Sequence, residues 1–459
     1  MREHGPSVLV AALSSAFGVA LLQTTSVLSV VIRNDDVTGS SGTVGVMLGI
    51  VATVFMVIAI YVGAIVTSNT FATIVAGRTR TIALYRLIGS SAAAQRRAVA
   101  REGLIVGLIG SVVGAVIGIV IVAVIVAITV ATAVLPALDY NYVEPVIALP
   151  IVTVILTTWL ASWIGSRRVL VVSPMQATGA AVESSREESV GRRGRNAVAV
   201  VLLVVGIGLL GLGILVGLAS PVGVLIGIVG GVLSFSGVVL GAHLVMPPAL
   251  RLVGRMFGSG APARLAAENA VRYPERSSRT TIGLVIGVTL VTMFAVASES
   301  YRTILLTAQQ EHPEIYEGVD TAMMITVIVF SVLMGFSALI AAVGMVNNLS
   351  LSVLQRTREL GLLRALGFTA GQVRRMILTE AAQLTIAAVI VGLVLGTFYG
   401  WAGAQSLLGA VQGGLIVPAI PLGLLLVVVV GAVVLTLAAS LAPSRRATSV
   451  APVEALAVE

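Results

Sequence analysis

Residues 356–367 read RTRELGLLRALG, and residues 78–89 read RTRTIALYRLIG. Each stretch follows a long apolar run, and the two begin 278 residues apart. The same offset continues without a gap on both sides of these stretches. Further pairs at this offset are Asn69 with Asn347, Glu102 with Glu380, Gly114 with Gly392, Gly118 with Gly396, and Pro174 with Pro452. A register of this length predicts that the chain contains two copies of one structural unit.

The composition predicts a helical membrane protein. Of the 459 residues, 57 % are hydrophobic and 10 % are charged, and the mean hydropathy is +1.06. Soluble domains are about 45–50 % apolar and about 25 % charged. Apolar runs of about 20 residues recur along the chain, and each is long enough to cross a hydrocarbon core of about 30 Å. We interpret the first run as a retained helix rather than a cleaved signal peptide.

Ten spans are predicted, and the fold class is therefore an all-α polytopic membrane protein. Four spans belong to each repeat, and spans five and six join the two repeats, so that both copies have the same orientation. The predicted domains are a first repeat over 1–180, a connector over 181–262 and a second repeat over 263–459. The spans are 7–32, 45–68, 103–131, 143–165, 197–218, 222–246, 281–300, 321–347, 380–401 and 421–442.

The arginine distribution predicts the orientation. With a cytoplasmic N-terminus, only Arg33 and Arg302 of the 28 arginines lie outside, as the positive-inside rule requires. Both termini are then cytoplasmic.

Residue usage excludes several kinds of site. The chain has no cysteine, which excludes disulfides and thiolate ligands, and it has no lysine, which a P-loop requires. The three histidines show no metal-ligand spacing, and no nucleophilic triad is evident. We therefore predict no enzyme activity, metal site or cofactor for this chain, and no nucleic-acid partner.

The duplicated basic stretch lies between the second and third spans of each repeat. Apolar and basic residues alternate there with helical spacing, and Gly89 and Gly367 are predicted to end a helix before a second short helix leads into the membrane. One interpretation is an amphipathic helix that binds anionic lipid headgroups. Duplication at a fixed register favours the other interpretation, a docking surface used twice. The two copies are not identical, because Glu359 is paired with Thr81.

The segment 356–396, RTRELGLLRALGFTAGQVRRMILTEAAQLTIAAVIVGLVLG, resembles the FtsX/MacB-type permease domain of ATP-binding-cassette (ABC) transporters. The segment VAPVEALAVE at 450–459 and the lead-in at 263–287 also resemble that family, whereas the first copy diverges at Thr81 and Ala83. The ten-span layout is similar to bacitracin-resistance-type permeases without their large extracellular domain. The resemblance implies a location in the bacterial cytoplasmic (inner) membrane.

The resemblance also implies that the duplicated stretches are coupling helices. Separate ABC ATPase subunits, two for each permease chain, would dock on them, and ATP and Mg²⁺ would bind to those subunits. The candidate docking residues are Arg78, Arg80, Leu84, Arg86, Gly89, Arg356, Arg358, Glu359, Leu360, Leu363, Arg364 and Gly367.

Other matched residues have a structural interpretation. Glycines at GxxxGxxxG spacing let helices approach closely in lipid. Glu102 and Glu380 are predicted to lie in the first helical turn of spans three and nine, where a carboxylate complements the helix dipole. A proton or substrate role for these two is the alternative. The packing glycines are Gly110, Gly114, Gly118, Gly392, Gly396 and Gly400.

The predicted outer loops, at 33–44, 132–142, 301–320 and 402–420, are all short. A substrate would therefore reach the bundle from the bilayer or the cytoplasm, which favours a hydrophobic or amphipathic drug, peptide or lipid. A haem-like substrate could contact His312, Tyr301 and Tyr316.

Two functions remain open from the sequence. The favoured one is ATP-driven export by a permease subunit. The alternative is mechanotransmission without transport, in which the chain couples ATP hydrolysis to a membrane sensor kinase or another cell-envelope partner. Membrane lipid and an accessory membrane protein are further candidate partners.

Overall fold

The structure is a computed structural model of the whole chain. It describes residues 5–34, 42–77, 84–85, 88–166, 193–257, 268, 274–311, 330–331, 334–339, 342, 362–415 and 417–449.

The described residues form α-helices joined by turns, with short 3₁₀ helices at Pro145–Ile147 and Arg255–Phe257. Eight of the helices in this part of the chain are long and apolar enough to cross a membrane. The α-helices are α1 (Gly5–Arg33), α2 (Gly42–Gly77), α3 (Ala92–Ala131), α4 (Ala148–Gly165), α5 (Arg193–Gly217), α6 (Gly223–Leu240), α7 (Ala242–Gly254), α8 (Pro274–Glu311), α9 (Ala370–Gln412) and α10 (Leu422–Ser449).

Helices α1 to α4 pack as one bundle in which α1 contacts the other three. Phe17 and Leu21 of α1 are fully buried. Ser15 Oγ donates a hydrogen bond to the Ser111 carbonyl oxygen of α3 at 2.8 Å. Packing of small residues and interhelical hydrogen bonds of this kind hold helices together where lipid removes the hydrophobic driving force.

The second repeat shows the same helix pairings. Helix α8 packs along α9 as α1 packs along α3, and α9 packs on α10 as α3 packs on α4. Thr385 of α9 and Thr436 of α10 are hydrogen-bonded through their hydroxyl groups at 2.7 Å. The predicted eighth span, 321–347, lies largely outside the described residues. The tenth corresponds to α10, whose apolar part, Leu422–Val434, is short. The total of ten spans therefore stays a prediction.

The connector is a tight helical pair. A Cβ at Gly206 of α5 would lie 2.2 Å from the Ser234 nitrogen of α6, and one at Gly213 would lie 2.6 Å from the Gly227 nitrogen. Glycine therefore allows a backbone approach that no other residue permits. The pair also contacts both repeats, since α6 touches α2 of the first repeat and α9 of the second.

Phe235 of α6 joins the two repeats through aromatic contacts. Its ring lies 6.3 Å from that of Tyr61 in α2 and 5.9 Å from that of Tyr399 in α9, both in edge-on geometry. The serines on either side of Phe235 bond to the two tyrosines. Tyr61 Oη lies 2.9 Å from Ser236 Oγ, and Tyr399 Oη donates to Ser234 Oγ at 3.0 Å.

Several predicted boundaries are wrong. The short helix expected after Gly89 and Gly367 is not separate, because α3 and α9 run unbroken for 40 and 43 residues from the turn through the span. The predicted outer loops 301–320 and 402–420 are partly helical, since α8 continues to Glu311 and α9 to Gln412. Hydropathy detects the apolar part of a helix and misses its polar ends.

The predicted sixth span, 222–246, is also wrong as a single helix. The chain breaks at Gly241 into α6 and α7. Helix α7 contains Pro247 and Pro248, which cannot donate backbone hydrogen bonds to the preceding turn. The buried face of α7 includes Met246, Leu250 and Val253 and packs on α8 and α9.

Candidate functional site

The two repeats build the same turn at the start of α3 and of α9. We call residues 84–91 the Gly89 turn and residues 362–369 the Gly367 turn. Gly89 and Gly367 both have φ +101°, a conformation that favours glycine. The residue after each glycine donates a backbone hydrogen bond five residues back, from Ser90 N to Tyr85 O and from Phe368 N to Leu363 O, both at 3.0 Å. This is the six-to-one bond of a Schellman motif, which ends a helix.

A capped helix follows each turn at once. Ser91 Oγ accepts a hydrogen bond from Ala94 N at 3.1 Å, and Thr369 Oγ1 accepts one from Gln372 N at 3.2 Å. Gln372 Oε1 also accepts from Thr369 N, which completes a capping box. The cap fixes the direction in which α3 and α9 leave the turn, so the turn and the long helix are joined stiffly.

The two turns are anchored differently. In the second repeat, Leu363 and Phe368 pack against Val373, Met376 and Ile377 in a small apolar cluster. In the first repeat, Gln95 Nε2 instead donates a hydrogen bond to Ser90 Oγ at 2.8 Å. Tyr85, which stands at the Leu363 position, is exposed. The Gly367 turn is therefore held to its helix by a buried apolar contact, whereas the described residues of the Gly89 turn show a polar one.

Both turns present apolar side chains outward. Ile88 is 81 % exposed and its repeat equivalent Leu366 is 72 % exposed, and Leu84 and Leu362 form a second exposed pair. Arg364, between the exposed leucines, is half-buried. Exposed apolar residues beside charged ones, at an end of the bundle predicted to face water, are typical of a protein–protein contact surface.

The remaining candidate docking residues lie outside the described residues: Arg78, Arg80, Arg86, Arg356, Arg358, Glu359 and Leu360. The docking assignment of all twelve candidate residues stays a prediction.

The six glycines of the GxxxGxxxG stretches lie at helix–helix contacts. A Cβ at Gly114 would lie 2.0 Å from the Ala12 carbonyl oxygen of α1, and one at Gly396 would lie 2.7 Å from the Thr289 carbonyl oxygen of α8. Gly110 and Gly118 likewise face α1, whereas Gly392 and Gly400 face α8. The same stripe therefore joins the first and third spans of each repeat.

Glu102 and Glu380 do not lie where the sequence predicted. Each is ten residues inside its helix, since α3 begins at Ala92 and α9 at Ala370. The stabilisation of a carboxylate by the helix dipole falls off within the first turn, so that reason for their placement is wrong. Both are half-buried.

Arg96 of α3 has a partner that the sequence did not predict. Its guanidinium carbon lies 4.0 Å from the centre of the Trp163 ring of α4, a cation–π contact. Trp163 is not matched by an aromatic residue at the equivalent position of the second repeat, so comparison of the two copies did not reveal this contact.

The haem hypothesis is not tested by the described residues. His312 and Tyr316 lie outside them, and Tyr301 packs beside a small cluster of Ile304 and Leu408. Within the described part of the chain, no group of three histidine or acidic residues could hold a metal ion.

Comparison with known families identifies the repeated unit. The sequence model of a protein family, described as FtsX-like permease C-terminal, matches residues 53–174 and 331–452, together just over half of the chain. Both ends of the second match lie 278 residues after those of the first, which confirms the prediction of two copies. The domain boundaries at 180 and 262 stay a prediction.

Three relatives share about a third of their aligned residues with this chain. The uncharacterized ABC transporter permease YknZ of Bacillus subtilis (strain 168) is 31 % identical over 142 residues, which are 31 % of this chain and 34 % of YknZ. The macrolide export ATP-binding/permease protein MacB of Nitrobacter winogradskyi is 33 % identical over 130 residues, 28 % of this chain and 19 % of MacB. The pyoverdine export ATP-binding/permease protein PvdT of Pseudomonas aeruginosa is 31 % identical over 121 residues, 26 % of this chain and 17 % of PvdT. The alignments thus span about a third of YknZ and less than a fifth of the other two.

Proposed function

The chain belongs to the FtsX-like permease family, and on that basis we propose that it is the membrane subunit of an ATP-driven transporter that exports a hydrophobic or amphipathic compound. The names of the relatives support this proposal, because they describe ABC permeases and, for MacB and PvdT, export. The proposed location is the bacterial cytoplasmic membrane, with both termini in the cytoplasm.

The proposal rests chiefly on the turn that occurs twice. Each turn exposes apolar side chains and continues without a break into a helix of 40 or 43 residues. At 1.5 Å per residue such a helix is about 60 Å long, roughly twice the thickness of the hydrocarbon core. A displacement applied at the turn would therefore be carried across the membrane by one rigid element that packs along α1 or α8.

The force for that displacement would come from a separate subunit that hydrolyses ATP. This chain has no lysine for a P-loop. We propose that one ABC ATPase subunit docks on each turn and binds ATP and Mg²⁺, so that two such subunits serve one chain. ATP-driven closure of the two subunits would move both turns together.

Arg364→Glu tests the docking. The reversed charge should repel an acidic partner surface that the arginine contacts, and we expect ATP hydrolysis by the complex and ATP-driven export from liposomes to fall at least about tenfold. The control is Arg255→Glu, an exposed arginine at the end of the connector, which should leave both rates unchanged. Equal rates for the wild type and Arg364→Glu would remove the docking assignment. Hydrolysis that responds to Arg364 without any export would favour mechanotransmission instead.

A further inference from the structure

A cavity of about 130 Å³ lies where the connector meets both repeats. Its walls come from α2 of the first repeat, α6 of the connector, and α8 and α9 of the second repeat, with Leu210 of α5. It is partly open, and its lining side chains are apolar except for four hydroxyl groups. The cavity therefore lies at a place where the three parts of the bundle adjoin.

Three of the four hydroxyl groups are already hydrogen-bonded. Those of the two tyrosines bond to serines of α6, as described above, and Ser406 Oγ donates to the Ala402 carbonyl oxygen at 2.7 Å. Thr289 Oγ1 has no hydrogen-bond partner, although the residue is only 2 % exposed. A buried hydroxyl group without a partner is costly, and Thr289 is one of the lining residues, so a turn of its side chain toward the cavity would let a ligand satisfy this atom.

Two glycines of the lining face the cavity without a protein atom in front of them. A Cβ added at Gly231 of α6 or at Gly403 of α9 would meet no atom within 4 Å. Gly227, one turn before Gly231, is in contrast packed against Ser406, whose Oγ would lie 3.1 Å from an added Cβ. The absence of a side chain at Gly231 and Gly403 thus keeps the cavity open.

Water does not suit this space. A buried water molecule needs two to four polar partners, which this lining does not offer, whereas an apolar space of about this size suits a benzene-sized group. We propose that the cavity binds the apolar end of an amphipathic compound, a ring or a chain of about six carbon atoms whose single polar atom is hydrogen-bonded to Thr289. The cavity would thus be the binding site for the proposed class of substrate. Binding itself does not depend on the proposed export function; only the later release of the ligand outside the cell does.

Photolabelling with 3-azihexanol, a six-carbon alcohol that carries a diazirine, tests the site. The purified full chain in detergent is irradiated, and the labelled residues are identified by mass spectrometry. We expect saturable labelling of lining residues such as Ile228 and Met293, and at least fivefold less labelling when unlabelled hexanol is present.

Substitutions at the glycines provide matched controls. Gly403→Leu, or Gly231→Leu if the first variant does not fold, should fill the cavity and lower the saturable labelling at least fivefold. Gly208→Leu makes the same change at an exposed glycine of α5 that also has no atom within 4 Å of an added Cβ, and it should leave labelling unchanged.

Thr289→Val tests the proposed hydrogen bond. Valine keeps the shape and removes the hydroxyl group, so hexanol should compete about 2- to 10-fold less well, while hexane should compete as it does in the wild type. If hexanol and hexane lost the same fraction of their ability to compete with the label, the hydroxyl group would not be part of the site.

Labelling spread over the lipid-facing side of α3, insensitive to hexanol and to Gly403→Leu, would overturn the proposal. Labelling needs neither ATP nor the ATPase subunit. Loss of the site would therefore leave the docking assignment untouched, and an unchanged rate in Arg364→Glu would leave the site untouched.

Discussion

Gly367→Ala is expected to lower ATP hydrolysis by the complex, by up to about 30-fold, while the membrane bundle stays folded. Gly367 has φ +101°, and its N–H donates to the Arg364 carbonyl oxygen at 3.1 Å within the turn. A residue with a Cβ pays about 1–2 kcal/mol in the left-handed region, which shifts the equilibrium between the intact and the opened turn by a factor of about 5–30. The turn lies at the edge of the bundle, so its loss should not unfold the spans. The measurement is ATP hydrolysis by the reconstituted complex, together with the melting temperature of the chain.

The matched control lies four residues further along the chain. Gly371 is in the first turn of α9, it is exposed, and the nearest atom to an added Cβ, Thr369 Oγ1, is 3.9 Å away. Gly371→Ala should therefore leave ATP hydrolysis unchanged. If both variants hydrolysed ATP at the wild-type rate, the conformation of the turn would have no part in coupling.

Gly114→Leu is expected to prevent α1 and α3 from packing and so to destabilise the first repeat. The Cβ alone would lie 2.0 Å from the Ala12 carbonyl oxygen, and that atom belongs to the backbone of α1. A flexible side chain could move aside, whereas here the two helices must separate. Overpacking typically costs about 1–3 kcal/mol, and a rigid backbone contact belongs at or above the upper end of that range. The readout is the thermal melt and the monodispersity of the purified chain.

Gly208→Leu serves as the control for this change as well, because Gly208 faces outward from α5 with open space in front of it. It should purify and melt like the wild type. Identical melting temperatures for Gly114→Leu and Gly208→Leu would mean that α1 and α3 do not make the close contact seen in the structure.

The repeat and its turns could be predicted from the sequence. The 278-residue offset identified the equivalent glycines, and the structure gives both of them φ +101°. The T-x-x-Q pattern at Thr369 and Gln372 also predicts a capping box, although only the helix stop was inferred from this region. Such local hydrogen bonds can be predicted from the sequence because each residue lies within about one helical turn of its partner.

The ends of the helices, and the positions of residues relative to those ends, were predicted less well from the sequence. Helix α3 continues beyond its apolar run through Arg96, Arg97 and Arg101, so hydropathy placed its start eleven residues too late. For the same reason Glu102 was assigned to a first turn. The break at Gly241 was missed because the apolar run continues across it.

The cavity could not be predicted. Tyr61, Phe235 and Tyr399 are far apart in the chain. Neither tyrosine has an aromatic residue at the equivalent position of the other repeat, and Phe235 belongs to the connector, which is not repeated. Their contact depends on how the connector packs between the repeats, and no periodicity encodes that packing.

The central proposal is that the ATPase subunits bind to the Gly89 turn and the Gly367 turn. Because the chain has no cysteine, Ile88→Cys and Leu366→Cys each provide a single exposed thiol for a photo-crosslinker. Val143→Cys and Val417→Cys provide equally exposed thiols in the segments that follow α3 and α9, beyond the ends of these helices opposite to the turns. We predict cross-links to the co-purified ATPase subunit from positions 88 and 366 and none from 143 and 417. Cross-links from 143 and 417, with none from 88 and 366, would contradict the account.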